Sequence, residues 1–259
     1  MDQYADQFNE DQKVLMIEAY TDFPHTIEYY NYDVLPFNFG IIKNVTANSS
    51  AEYVKEEIDL YINSLPSGTI ANWVLGNPDH PRVASRFPER LDQMTMLSMI
   101  LPGIAVTYYG DEIGMVDEKD ISCKDTQDPE TCNAIISRTP EQTPFQWNAT
   151  RNAGFSTANL TWLPVNSNYK ELNLEKEMGV KNSHYDIYKD LAHLHGKEPA
   201  LTEGSYRSFT TNNDQELPET MKLKVACSGS HSSLKQQVDI GNIYLPKKAA
   251  AVYTSLNIQ

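Results

Sequence analysis

The stretch IANWVLGNPDHPRVASRF, residues 70–87, runs apolar from Ile70 and stops at Gly76. A carboxamide, a proline, a carboxylate, a histidine and an arginine follow at Asn77, Pro78, Asp79, His80 and Arg82. A short apolar run ending in turn residues reads as a strand covered on both faces, the habit of parallel sheets. The polar cluster after it is either a surface turn or the rim of a site.

The flanks repeat the pattern. Upstream, VLMIEAY (14–20) and PFNFGII (36–42) read as strands, and SSAEYVKEEIDLYINSLPSG (49–68) reads as a helix. Val54, Ile58, Tyr61 and Leu65 recur at helical spacing, Ser49 and Glu52 make a candidate capping box, and Pro66 and Gly68 stop the element. Downstream, RLDQMTMLSMILPG (90–103) is a helix and IAVTYY (104–109) a strand. Strand–helix–strand–helix–strand order predicts an α/β fold with a parallel sheet. From 110 to 183 the periodicity dissolves into Asp, Asn, Thr and Pro, the composition of a long functional loop. HYDIYKDLAHLH (184–195) is a helix. YRSFTT, MKLKVAC, QQVDIG and AAVYTSL then alternate as antiparallel strands do. The predicted boundary lies near 196, separating residues 1–196 from 197–259.

Composition narrows the function. Asp and Glu number 35 against 21 Lys and Arg, and no basic block interrupts them, which argues against a nucleic-acid or anionic-lipid partner. No run reaches the ~18 apolar residues that a membrane span needs. The start, MDQYADQFNEDQK, lacks the basic and apolar regions of a secretory leader. Glycosylation sequons nevertheless stand at Asn44, Asn48, Asn148 and Asn159, pointing to a protein that is secreted or extracellular, or anchored to a membrane through a segment outside this sequence. Cys123, Cys132 and Cys227 are too few for a disulfide scaffold, though Cys123 and Cys132 are spaced to close a small loop. No His or Cys spacing suggests a metal, and no glycine pattern a nucleotide, so no cofactor is expected.

Three apolar strands end in carboxylates: Glu18, Asp79, and Asp111 with Glu112. Each taken singly is either a solvent-facing strand end or a site residue. Together they predict a rim of carboxylates at one end of the sheet. Paired carboxylates cleave glycosidic bonds, one protonating the leaving oxygen while the other attacks or activates water. An apolar setting for Glu18 would favour its protonated form and suit it to acid catalysis. Trp73, Tyr108 and Phe145 are expected in the core, while Tyr109 and Trp147 are candidates for stacking on sugars.

VLMIEAY, IANWVLGNPDHPRVASRF, LPGIAVTYYGDEIGM, SRTPEQTPFQW and TWLPVN together resemble the C-terminal half of an insect maltase, an α-glucosidase of the α-amylase superfamily (glycoside hydrolase family 13). The resemblance implies the C-terminal part of a TIM barrel, strands five to eight, followed by a small antiparallel all-β domain. It implies small α-glucosides as substrates, Glu18 as general acid/base and Asp79 as the carboxylate that stabilises the transition state. Asn77, Arg82 and Arg138 would then bind substrate. Two positions depart from the family pattern. Pro78 stands where the family has a histidine that donates to the sugar, and Gln142 where it has a sugar-binding arginine. The family's nucleophile motif, Gly-Phe-Arg-x-Asp-Ala, does not occur in this sequence. The resemblance therefore predicts either part of a maltase, active only in an intact parent protein, or a degenerate homologue that binds sugar or protein without cleaving.

Overall fold

A computed structural model describes residues 14–119, 121–126, 139–198 and 201, and the backbone of 205–210 and 223–228. The strands are β1 (Met16–Ile17), β2 (Leu35–Pro36), β3 (Asn72–Val74) and β4 (Ile104–Val106). β1 pairs with β2 and β3 with β4, both parallel. A single parallel bridge, Asn38 to Trp73, links the two pairs.

This corrects the expected fold. The parallel strands are two or three residues long and stand as separate two-stranded sheets, with no closed barrel among the described residues. The run 14–20 supplies only two strand residues, and Val14, Leu15 and Met16 are exposed rather than buried. The run 36–42 gives way to helix α2 (Gly40–Asn44), because its Asn-Phe-Gly turn takes the chain out of the strand before the apolar pair Ile41 and Ile42 is reached. The expected small all-β domain is described only in part. Beyond residue 196 the described residues form one antiparallel pair, β5 (Ser205–Thr210) with β6 (Leu223–Ser228). QQVDIG and AAVYTSL lie outside the described residues.

The helices follow the periodicity closely. A short α1 (Phe23–Glu28) is capped by Asp22, whose carboxylate accepts from the His25 N–H. Helix α3 (Ala51–Ser64) starts one residue later than the predicted box: Ser50 accepts the Tyr53 N–H, while the Ser49 hydroxyl accepts that of Thr46. The short α4 (Val83–Arg86) and then α5 (Leu91–Ile100) follow β3. A five-residue α6 (Leu174–Met178) precedes α7 (His184–Lys197), which packs on α5. His184 bridges the Asp92 carboxylate and the Asp111 carbonyl, fixing α7 to the turn after β4.

The main core lies on the helical side of β3. Trp73 has no exposed surface; its ring meets Tyr61 edge-on at 5.1 Å, and its indole N–H donates to the Pro102 carbonyl. Ile58, Phe87, Leu97 and Leu101 are among the buried residues packed around them. Burial of each large side chain here contributes about 1.5–3 kcal/mol. On β3 the side chains alternate, so Val74 faces Phe39 and Ile42 in a second small cluster. Packing on both faces holds β3 in place and thereby sets where its polar end, Asn77 to Arg82, emerges.

Candidate functional site

Every parallel strand runs in the same direction, so Glu18, Asp79 and Glu112 all lie beyond the same strand ends. Glu18 and Asp79 converge on one group, the Tyr20 hydroxyl. That hydroxyl meets Asp79 Oδ2 at 3.3 Å and also contacts the Glu18 carboxylate. It accepts from Asn77 Nδ2 at 2.8 Å, and Asn77 Oδ1 in turn accepts the Asp79 N–H at 3.0 Å. Partial burial first, then the two flanking carboxylates, push the Tyr20 phenol well above the ordinary tyrosine range, so it stays protonated. The ring is stacked between Phe39 at 4.8 Å and His80 at 5.6 Å. Tyr20 carries no mark in the sequence, where it is one aromatic among fifteen tyrosines.

Glu18 is exposed, so the apolar pocket expected around it is not formed among the described residues. Asp79 is half-buried and Asn77 buried. Glu112 folds back on its own turn and accepts the Gly110 N–H at 2.7 Å. His80 loses basicity chiefly through burial and secondarily through Arg86.

Beneath the rim lies a second charged group. Arg82 has no exposed surface. Its Nη1 donates to the Tyr109 carbonyl at 2.7 Å, and its guanidinium sits 5.2 and 4.8 Å from the Tyr108 and Tyr109 ring centres. Its position secures the loop rather than facing solvent. Arg86 donates to the carbonyls of Pro81 and Leu75. Burial raises the Asp111 carboxyl to about 7 despite nearby Arg82 and Arg86. Burial likewise raises Glu141 to about 7. Glu141 carried no signal beyond its place in SRTPEQTPFQW, since nothing local marks a glutamate as buried.

The two departures from the family pattern meet. Gln142 Nε2 donates to the Pro78 carbonyl at 2.7 Å. Of the aromatic candidates, Trp73 and Phe145 are buried, while Tyr109 and Trp147 are 38% and 48% exposed and available to a ligand. Tyr108 is half-buried. Arg138 lies outside the described residues. Among the sequons, Asn44 donates to Glu57, Asn148 is tied into the turn to Thr150, and Asn48 and Asn159 are exposed. Cys123 is disulfide-bonded, and Cys132 lies outside the described residues. No helix among the described residues is long and apolar enough to cross a membrane.

The sequence matches the α-amylase catalytic domain over residues 1–204. The chain belongs to the α-amylase family. It is 41% identical over 255 residues to Maltase 1 of Drosophila virilis, covering 91% of this chain and 40% of that one. It is 40% identical over 259 residues to an α-glucosidase of Apis mellifera, covering 95% and 45%. This α-amylase-family chain thus spans less than half the length of these relatives. An inactive MutB double mutant in complex with isomaltulose shares the fold with a TM-score of 0.68 at 22% identity, over 90% of this chain and 53% of that one.

Proposed function

We propose that this chain carries the acid/base end of an α-glucosidase. Its intact parent would hydrolyse terminal non-reducing α-1,4-linked glucose in maltose, sucrose and short oligosaccharides by a retaining mechanism. The observation that supports this is the meeting of Glu18 and Asp79 at the Tyr20 hydroxyl, beside Asn77. Glu18 is exposed, so it would reach a leaving oxygen in the role of general acid and then base. Asp79, oriented by Asn77 and Tyr20, would accept sugar hydroxyls and oppose the positive charge of an oxocarbenium-like transition state. A covalent intermediate requires a second carboxylate ~5–5.5 Å from the acid. That group would come from the nucleophile motif that is not in this sequence.

The test compares the chain alone with a fusion to the nucleophile-bearing half of a related maltase. The chain alone is expected to release no glucose from maltose above a Glu18→Ala control. The fusion is expected to release α-glucose, and Glu18→Gln to slow it by about 10²–10⁴-fold. A folded fusion without turnover, or turnover indifferent to Glu18→Gln, overturns the proposal.

One observation favours the second reading, a homologue that binds without cleaving. At Pro78 there is no side-chain donor, and the Gln142 carboxamide is already engaged by the Pro78 carbonyl. Maltose binding to the fusion without hydrolysis would select this reading.

A further inference from the structure

The loop from Gly76 to Arg82 contains two prolines, Pro78 and Pro81, and neither has a backbone N–H to donate. It is therefore tied down through carbonyls and side chains. Arg86 Nε donates to the Pro81 carbonyl at 3.0 Å, and the Arg82 N–H donates to Asp117 at 2.8 Å. These ties hold the distal end. The end that carries Asn77 and Asp79 is met by Gln142, from a segment 64 residues away in sequence.

That segment is well anchored. The Gln142 N–H donates to the Thr139 carbonyl, the Tyr109 hydroxyl donates to that of Thr143 at 2.8 Å, and the Glu118 N–H donates to that of Pro140 at 3.1 Å. Glu141 and Thr143, on either side of Gln142, are buried. A flexible side chain on such a base can hold a distant loop, because its own backbone gives little.

We propose that Gln142 is a positioning residue, a latch whose carboxamide fixes the Asn77–Asp79 turn through the Pro78 carbonyl. Proline stiffens the turn from within, since it also restricts Asn77 to extended backbone angles. Gln142 stiffens it from outside. Changing Gln142 then loosens Asp79, which it does not itself touch through this bond. The latch itself is a property of the free chain; its value to catalysis rests on the function proposed above.

Amide hydrogen exchange in the ¹⁵N-labelled chain tests this. The Asp79 N–H, bonded to Asn77 Oδ1, reports on the turn, and the Met94 and Leu97 amides of α5 report on global stability. Gln142→Met keeps the side chain's length and removes its donor. It is expected to speed exchange at Asp79 at least about tenfold, about 1.4 kcal/mol of local opening, with the α5 amides unchanged. Unchanged exchange at Asp79 in the folded variant overturns the latch. If Gln142→Met does not fold, the unchanged protein decides. A deuterium isotope shift on the Pro78 carbonyl carbon from the Gln142 side-chain amide supports the bond, and its absence overturns it. Maltose added as a probe separates the two proposals. A loosened Asp79 with no maltose response keeps the latch and counts against the sugar site. A maltose response at Asp79 with exchange indifferent to Gln142→Met keeps the site and removes the latch.

Discussion

Two charged regions lie close together after β3, and they use the same residue types in opposite ways. At the rim, Glu18 is exposed and Asp79 half-buried, and the Tyr20 hydroxyl is shared between them. Below it, Asp111 and Glu141 are buried around Arg82, where loss of solvent disfavours ionisation. Gly76 is the point where the two approach: a Cβ there would stand 2.5 Å from Asp111 Oδ2. The difference teaches that a carboxylate's task is set by its depth. Rim carboxylates stay solvated and can meet a ligand, while the buried pair is held away from solvent beside Arg82.

If that division is right, disturbing the buried group should cost far more stability than disturbing the rim. The largest effect is expected from Arg82→Met, which removes the buried guanidinium, its bond to the Tyr109 carbonyl and its attraction for Asp111 and Glu141. Urea unfolding should show a loss of about 2–4 kcal/mol, from the lost packing and the stranded Tyr109 carbonyl. Adding Asp111→Asn should recover part of it, because the two share one site. A loss below about 1 kcal/mol would place Arg82 outside the stabilising network.

The second expected effect is on pH dependence. Asp111 and Glu141 have folded values near 7 against ordinary values of 3.8 and 4.5. Between those limits the folded state binds more protons than the unfolded one. Their contribution is therefore greatest below pH ~4 and is lost as pH rises through ~7, by up to about 1.4 kcal/mol per pH unit for each group. Thermal melts from pH 5 to 8 should show the decline flattened in an Asp111→Asn, Glu141→Gln double variant. A decline that persists unchanged in that variant would assign it to other groups.

Gly76→Ala should come third, since it forces apart the two regions where they touch. The cost expected from denaturant curves is about 1–3 kcal/mol. A neutral result would mean that the Asp111 side chain swings aside without penalty. The smallest effect is expected from Tyr20→Phe, which keeps the ring stack on Phe39 and His80 and removes only the hydroxyl. About 1 kcal/mol should be lost, mainly through the stranded Asn77 donor. A loss as large as that of Arg82→Met would erase the distinction between rim and interior.

Much of this was legible in the residues. Helical spacing located α3, α5 and α7, because a buried helical face must repeat every three or four residues. Apolar runs located β3 and β4, and the carboxylates at strand ends located Glu18 and Asp79. The run at 14–20 misled. Val14, Leu15 and Met16 are apolar enough for an interior strand, yet they are exposed, and only two residues pair with β2. Apolar character states what a residue gains by burial, not whether a neighbour covers it.

What the sequence determined by itself was therefore local: which segments coil into helices, where strands stop, and which polar residues stand at the stops. Those properties depend on near neighbours in the chain. Tertiary structure alone decided that Tyr20 meets Asp79, 59 residues away, and so joins it to Glu18, that Arg82 and Glu141 are buried, and that Gln142 reaches Pro78. Each of these depends on burial or on a contact between distant segments. Hydrogen bonds and solvent exposure are fixed by position in space, and no local pattern of residues encodes them.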